Sequence, residues 1–437
     1  MIKAITGTKD ILPSEISQWK HIELIIQEVF KIFNYKEIRT PVFEETTLFS
    51  RGIGEETDIV GKEMYTFLDR SKTSLTLKPE MTASVVRAYI EHSLEKKQSL
   101  SKLYYISPMF RQERPQAGRL RQFHQFGAEA IGSTSPLLDV EMIQMPYTIL
   151  TRLGLKNLKV KINSLGTPGS RELYKNQLRN FLVDKKDKLS EDSRKRFEKN
   201  ILRIFDSKAE NDREILENAP LLINCIDEES KNDFEEVKST LSKVGIPYEV
   251  DPRLVRGLDY YTKTTFEIAS SSVGSQNALC GGGRYDLLVE ELGGSPTPGV
   301  GFAAGIERIL LACENENILN LPGEEIDIFI ITFNQDLSDD IFKIASSLRN
   351  QNFTIEFDYL NRSIKAQMRE ANRLNSRYVL FIGGDEYKGG NFKLKNMKSG
   401  EEQLVPINKL QSILSQKSRP KADHPENIRD EKFKSQK

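Results

Sequence analysis

The apolar residues of this 437-residue chain keep one rhythm as far as Cys313 and another from Ile326, and the polar stretch Glu314 to Glu325 between them carries asparagines and a proline. A single hydrophobic core rarely organises so long a chain, so the change of rhythm marks units that bury their own interiors. After the break, Ile326 to Phe333, Phe353 to Phe357 and Arg377 to Ile382 read as strands, with helices at Ser338 to Leu348 and Ser363 to Leu374 between them. That alternation predicts a parallel or mixed sheet covered by helices. A lysine-rich hairpin, Asn391 to Val405, turns at Lys398-Ser399-Gly400, and from about Gln416 a polar tail lacks the apolar residues that ordering needs.

Before the break the pattern differs. Ile16, Trp19, Ile22, Ile26, Val29, Phe30 and Phe33 fall at helical spacing and predict a long amphipathic helix from Glu15 to Phe33, with Ser14 as its N-cap. Lys36 to Phe43 is a strand-like run whose Pro41 removes a backbone donor, which suits a sheet edge and with it a subunit contact. Leu75 to Leu77, Lys102 to Phe110 and Gln122 to Ile131 read as antiparallel strands, Ala83 to Leu94 and Leu137 to Leu153 as helices, and Leu158 to Asn163 as a strand. From Arg171 to Lys243 the chain is rich in lysine, glutamate and asparagine and reads as a helical insertion. Its interspersed acidic and basic charges suit a solvated face better than a nucleic-acid groove. Strands resume at Pro247 to Val250 and Thr264 to Ala269, before a Gly/Pro-rich stretch, Gly293 to Gly305.

Lysine plus arginine equals aspartate plus glutamate at 63 each, so the net charge exerts no long-range pull on a polyanion and nucleic-acid contacts must come from local patches. Cys225, Cys280 and Cys313 are too scattered for a disulfide framework or a zinc site. With no signal-like amino terminus and no long apolar run, a cytoplasmic protein is expected, with no membrane contact.

Two stretches can carry chemistry. Phe110-Arg111-Gln112-Glu113-Arg114, a loop through Gly118-Arg119-Leu120-Arg121, and Phe123-His124-Gln125-Phe126 form a strand, loop and returning strand with four arginines between residues 111 and 121. Guanidinium groups stay charged and offer planar forks of donors, which can hold a triphosphate. Glu113 can accept from an exocyclic amine, and Phe123 offers a face to a purine. On charge alone an arginine-rich surface hairpin explains the same residues, and His124 reads as a structural strand residue. The second stretch, Gly299-Val300-Gly301-Phe302-Ala303-Ala304-Gly305-Ile306-Glu307-Arg308, runs glycines into an apolar helix. Either a ligand lies flat on this backbone, with Arg308 reaching a phosphate, or the strand packs beneath another element. It lacks the Gly-Lys-Ser/Thr ending of a P-loop.

Together with the Pro41 segment, these stretches resemble the three motifs of class II aminoacyl-tRNA synthetases, in order. Leu77-Lys78-Pro79-Glu80-Met81-Thr82, Gln125-Phe126-Gly127-Ala128-Glu129, Leu254-Val255-Arg256-Gly257-Leu258-Asp259-Tyr260-Tyr261 and Cys280-Gly281-Gly282-Gly283-Arg284-Tyr285-Asp286 are similar to the signatures of the histidyl-tRNA synthetase family. The resemblance implies an α/β fold: an α+β catalytic domain, residues 1–325, whose six- or seven-stranded antiparallel sheet is flanked by helices and interrupted by the helical insertion, 170–245. It further implies a mixed α/β anticodon-binding domain, 326–415, ahead of the polar tail, 416–437. It implies ATP as substrate with Mg²⁺, whose protein ligands it does not identify, L-histidine and tRNA(His) as partners, and a homodimer through the first motif.

By the same resemblance, Arg111 holds the α-phosphate and the amino-acid carboxylate, Glu113 the adenine amine and Phe123 the adenine face. Arg119 belongs to the ATP-binding set, and Arg308 takes the other adenine face or the γ-phosphate. Glu80, Thr82 and Gln125 hold the α-amino group, Glu129 and Tyr261 read the imidazole, and Met81 and Tyr260 belong to the histidine pocket. Arg256 and Arg111 are the catalytic residues, with Arg256 against the α-phosphate. Three positions depart from the family: Thr6 in place of an arginine, Asn34 in place of the glycine before Tyr35, and Met81 in place of a small residue. The alternative implied is a catalytically silent, synthetase-like regulatory subunit of ATP phosphoribosyltransferase. Such subunits tend to lack the anticodon domain and to have degraded signatures.

Overall fold

The computed structural model describes residues 1–410 apart from 55–56, 117, 208, 256, 275–276, 320, 322, 324, 334–336 and 407–408. The chain divides into two compact units, Met1–Asn320 and Leu321–Lys437.

Pro13 opens the first helix, Pro13–Ile32, because a residue without an N–H loses nothing at the first helical position. The N-cap is therefore Leu12, and Ser14, expected there, lies inside the helix. Trp19, Ile22, Ile26, Val29 and Phe30 are buried on one face, as their spacing requires. Asn34 ends the helix in the left-handed region at φ 62°, and the Tyr35 N–H reaches back to the Phe30 carbonyl at 2.9 Å. Glycine and asparagine are the residues that tolerate this conformation, so the departure at Asn34 preserves the cap.

In chain order the strands of the first unit are β1 (Lys36–Glu37), β2 (Phe43–Glu45), β3 (Tyr65–Leu68), β4 (Ser74–Leu77), β5 (Ser101–Phe110), β6 (Gln122–Ile131), β7 (Leu158–Ser164), β8 (Glu249–Val250), β9 (Thr262–Ser270), β10 (Ala278–Arg284) and β11 (Gly299–Gly305). Among the described residues an eight-stranded sheet runs β1-β5-β6-β11-β10-β9-β7-β8. Its five inner pairings are antiparallel, whereas β1 joins β5 and β8 joins β7 in parallel. The six- or seven-stranded expectation thus becomes six antiparallel strands with a two-residue parallel strand at each edge. A parallel partner needs a long crossover, and the chain between β7 and β8, which contains the whole insertion, supplies one.

Lys36 to Phe43 is not one strand. It divides around Pro41, and β2 pairs instead with β4 in a separate sheet, β2-β4-β3. The run Leu75 to Leu77 therefore sits in this second sheet, apart from β5 and β6.

One face of the large sheet packs Phe126, Phe266 and Phe302 against Phe30, Ile143 and Phe234, which come from three helices, Pro13–Ile32, Pro136–Arg152 and Glu228–Lys243. A second cluster joins Tyr105, Ile131 and Tyr285 to Leu178, Phe197 and Ile204. The stretch read as an insertion is helical, but it contributes side chains to both clusters and so is part of the first unit's interior.

In the second unit β12 (Ile328–Thr332), β13 (Ile355–Phe357), β14 (Tyr378–Ile382), β15 (Asn391–Asn396) and β16 (Glu402–Pro406) form a sheet in the order β13-β12-β14-β15-β16. Its first three strands are parallel and the hairpin is antiparallel, the mixed sheet that the strand–helix alternation predicts. Ile328 and Ile330 face one apolar cluster, Phe329 and Ile331 the other, so both faces are covered. The polar tail from 416 lies outside the described residues. Among the described residues no helix is long and apolar enough to cross a membrane.

Candidate active site

β5 and β6 pair from Ser101–Ile131 to Phe110–Gln122, and the arginine-rich loop joins their ends. The loop is closed at its base by Arg111 N–H to the Arg121 carbonyl at 2.9 Å and tied down by Arg121 N–H to the Gly7 carbonyl at 2.7 Å. Thr6 contributes its carbonyl oxygen, 3.2 Å from Arg121 Nη1, a contact that any residue there could offer. Arg111 Nε donates to the Pro79 carbonyl at 2.9 Å, and its guanidinium lies 5.4 Å from the centre of the Phe123 ring. Glu113 contacts Arg119 and lies 3.7 Å from Arg111. From the helix Ile306–Asn315, Arg308 donates to the Ala278 carbonyl at 2.9 Å and the Gly118 carbonyl at 3.3 Å, linking that helix to β10 and the loop.

These elements bring Arg111, Glu113, Arg119, Phe123, Gln125 and Arg308 to one cavity together with Glu80, Met81, Thr82, Tyr260 and Tyr261. The lining mixes charges, with arginines beside Glu80, Glu113 and Glu307. Arg256 lies outside the described residues. Glu129 does not border the cavity: it is fully buried, directly behind Thr82.

Glu80 sits at the N-terminus of the helix Thr82–Glu91 and accepts from the Thr82 N–H at 2.8 Å and the Ala83 N–H at 2.9 Å. Burial raises its carboxyl pKa, against the pull of those two amides and of Arg111. Glu129 accepts from three hydroxyls, Tyr285 at 2.6 Å, Thr82 at 2.7 Å and Tyr105 at 3.5 Å. Burial pushes its carboxyl up to about 8, although the hydroxyls oppose the shift. Gln125 Oε1 is buried with no hydrogen-bond partner among the described residues, an acceptor left for a ligand.

The glycines of β11 do something other than cradle a ligand. Gly301 is in register with Glu129, and a Cβ there would stand 1.7 Å from Glu129 Oε2; at Gly299 it would meet the Tyr285 ring at 2.3 Å. The strand packs beneath the protein's own side chains, and Gly305, at its end, borders the cavity. Met81 is 1% exposed, with its sulfur 3.5 Å from both Thr40 Oγ1 and Lys78 Nζ, so its extra bulk is housed largely in the core.

His124 has the structural place its surroundings suggest: its N–H and Nδ1 both meet the Glu307 carboxylate at 2.9 Å, and Trp19 stands edge-on at 5.0 Å. Tyr285, Tyr105 and Glu307 carried no assignment from sequence. Tyr285 and Glu307 stand inside quoted motifs, but their partners lie 156 and 183 residues away. In the second unit, Lys393 and Lys395 both pair with Glu402, and Arg373 pairs with Glu370.

An antiparallel sheet that sets an arginine loop against a glycine-rich strand, with an arginine opening the following helix, defines the catalytic unit of a class II aminoacyl-tRNA synthetase. A family profile described as Histidyl-tRNA synthetase matches residues 7–309, and one described as Anticodon binding domain matches 327–417. The chain belongs to the histidyl-tRNA synthetase family. It is 48% identical to a histidine–tRNA ligase of Caldanaerobacter subterraneus, over 95% of this chain and 99% of that one, and 47% identical to one of Thermoanaerobacter, over 94% and 98%. The crystal structure of apo S. aureus histidyl-tRNA synthetase superimposes with a TM-score of 0.81 at 40% identity, covering 95% of this chain and 100% of that one. A Bacillus halodurans structure titled as an ATP phosphoribosyltransferase regulatory subunit/histidyl-tRNA synthetase shares the fold at 22% identity, with a TM-score of 0.63 over 88% of this chain and 99% of that one. The regulatory-subunit alternative is not favoured.

Proposed function

We infer that the chain is a histidine–tRNA ligase, which activates L-histidine with ATP and transfers it to the 3′-end of tRNA(His). The observation that carries this reading is the cavity whose lining combines Arg111, Arg119 and Arg308 with Glu80 and Gln125, whose side-chain oxygen has no partner among the described residues. An amino acid presents a carboxylate and an ammonium, and this cavity offers each an opposite partner.

In the proposed arrangement Glu80, Thr82 and Gln125 take the ammonium, and Met81 and Tyr260 wall the pocket. Tyr261 takes the imidazole, and Glu129, expected from sequence to touch the ring, acts from behind the cavity wall through the Thr82 hydroxyl that it holds. Arg111 holds the histidine carboxylate and the α-phosphate in one planar fork. Glu113 meets the adenine amine, Phe123 its ring, and Arg119 and Arg308 the remaining ATP contacts. A histidine carboxylate oxygen attacks the α-phosphorus and pyrophosphate leaves; Arg256 and Arg111 are assigned to the charge that develops there. The terminal ribose hydroxyl of tRNA then attacks the carbonyl carbon of the mixed anhydride, and AMP departs.

Among the described residues no group of three or more His, Cys, Asp or Glu side chains is placed to hold a metal ion. Mg²⁺ would enter with the ATP phosphates and would neutralise their charge there. The Lys36 to Phe43 segment, with β1 at a sheet edge and Val42 and Phe43 exposed, is assigned to a homodimer contact, which sedimentation at micromolar concentration tests.

The test of the activity is exchange of labelled pyrophosphate into ATP. It should require histidine, and Glu129→Ala should raise the KM for histidine far more than that for ATP. No histidine-dependent exchange by the wild type would refute the assignment, and equal losses for both ligands would refute the role of Glu129.

A further inference from the structure

The segment Gly257 to Tyr261 lies between the cavity and the helical insertion. On the cavity side it presents Leu258, Tyr260 and Tyr261. On the other, every second carbonyl is taken by an arginine of the insertion. Arg203 Nη2 donates to the Gly257 carbonyl at 2.9 Å, and Arg171 donates to the Asp259 carbonyl at 3.2 Å through Nη1 and to the Tyr261 carbonyl through Nη2. Asn200 Nδ2 adds a contact to the Asp259 side chain at 3.3 Å.

Arg203 is itself aimed. Its Nη1 lies 3.3 Å from Asp58, and its side chain is 12% exposed. The strip is gripped from a third direction as well, because the Asp259 N–H donates to the Ile53 carbonyl at 3.2 Å. Tyr260 and Tyr261 share an apolar cluster with Phe197, Ile201 and Ile204 of the insertion. Backbone at this strip is thus fixed by side chains that come from outside the catalytic motifs, and a carbonyl held by a charged donor resists displacement more than one held by a neutral donor.

We propose that Arg171 and Arg203 of the helical insertion are positioning residues for histidine recognition, holding the Gly257–Tyr261 backbone so that Tyr260 and Tyr261 keep their orientation in the amino-acid pocket. The proposal rests on the histidine-ligase reading and gives the insertion a part in it. Neither arginine borders the cavity, so each acts through the tyrosines.

Pyrophosphate exchange with active-site titration and thermal melts tests this on the full chain. Arg203→Ala should raise the KM for histidine about tenfold to a hundredfold, the size of effect that an ångström-scale misplacement produces, and leave the KM for ATP within about twofold. Arg203→Lys should recover part of the loss, since an ammonium can still donate to the Gly257 carbonyl but cannot keep the fork that also meets Asp58. A folded Arg203→Ala protein with wild-type KM for histidine overturns the proposal, as does an equal rise in both KM values. So does a fall in melting temperature and active-site fraction with both KM values unchanged, the signature of a merely structural residue. Should Arg203→Ala fail to accumulate, Asp58→Asn decides: a selective rise in the KM for histidine supports the proposal and an unchanged value overturns it. A wild type without histidine-dependent exchange sinks the ligase reading; normal wild-type exchange with unaltered variants sinks only the positioning role.

Discussion

At the scale of single residues, Glu129 concentrates the chemistry of the pocket in one buried carboxyl. Held by three hydroxyls and no cation among its hydrogen-bond donors, it keeps its proton up to about 8, against an ordinary value of 4.5. Folded protein therefore binds more protons than unfolded chain between those two values, and stability falls as pH rises through that window. The contribution is fully present below the ordinary value and lost through the raised one, with a slope of up to about 1.4 kcal/mol per pH unit. Denaturant unfolding of the ligand-free protein across the window should show this decline, and Glu129→Gln should flatten part of it. Superimposable stability–pH curves for the two proteins would contradict the buried, protonated state. Gly301 explains why the position is so constrained, since β11 comes too close at that register for any side chain.

At the scale of elements, helix ends and strand edges separate what local chemistry decides from what packing decides. The cap at Asn34 is local: a left-handed residue, a backward hydrogen bond from Tyr35, and then a turn into β1. Asn34→Gly should leave the melting temperature nearly unchanged, and Asn34→Ala should cost about 1 kcal/mol, because a Cβ without a local hydrogen-bonding group pays the full left-handed penalty. Equal melting temperatures for the two variants would count against the cap. The edges behave differently. β1 and β2 adjoin in sequence around Pro41 but belong to different sheets, and two or three residues carry too little pattern to say which edge will take them. The same limit hid β3, whose exposed Phe67 and Leu68 lack the inward–outward alternation of a half-buried strand.

For the whole molecule, the apolar clusters of the first unit draw on residues up to Leu319, and those of the second on residues from Ile326 onward. Each unit has its own core, the condition for folding alone. A chain ending after Leu319 should unfold cooperatively and retain histidine-dependent pyrophosphate exchange while losing tRNA charging. A truncated chain that unfolds without a cooperative transition would show that the first unit depends on the second. The insertion is not separable in this way, because Leu178, Phe197 and Ile204 fill one cluster of the first unit and Phe234, Val237 and Leu241 the other.

Sequence by itself determined whatever depends on near neighbours. The helix Pro13–Ile32 and the βαβαβ rhythm of the second unit follow from periodic burial, and Arg111, Glu113, Arg119, Phe123, Gln125 and Arg308 were legible because whole motifs carry them. Tertiary structure decided what depends on register between distant strands. The glycines of β11 were equally compatible with a ligand or with packing until pairing set Gly301 against Glu129 and the Tyr285 ring closed over Gly299. Arg171 and Arg203 looked like two more charges on a solvated helix until the fold brought them against the Gly257 to Tyr261 carbonyls. The physical reason is common to both cases: side-chain periodicity reports which face is buried, but carries no information about which distant backbone will meet it.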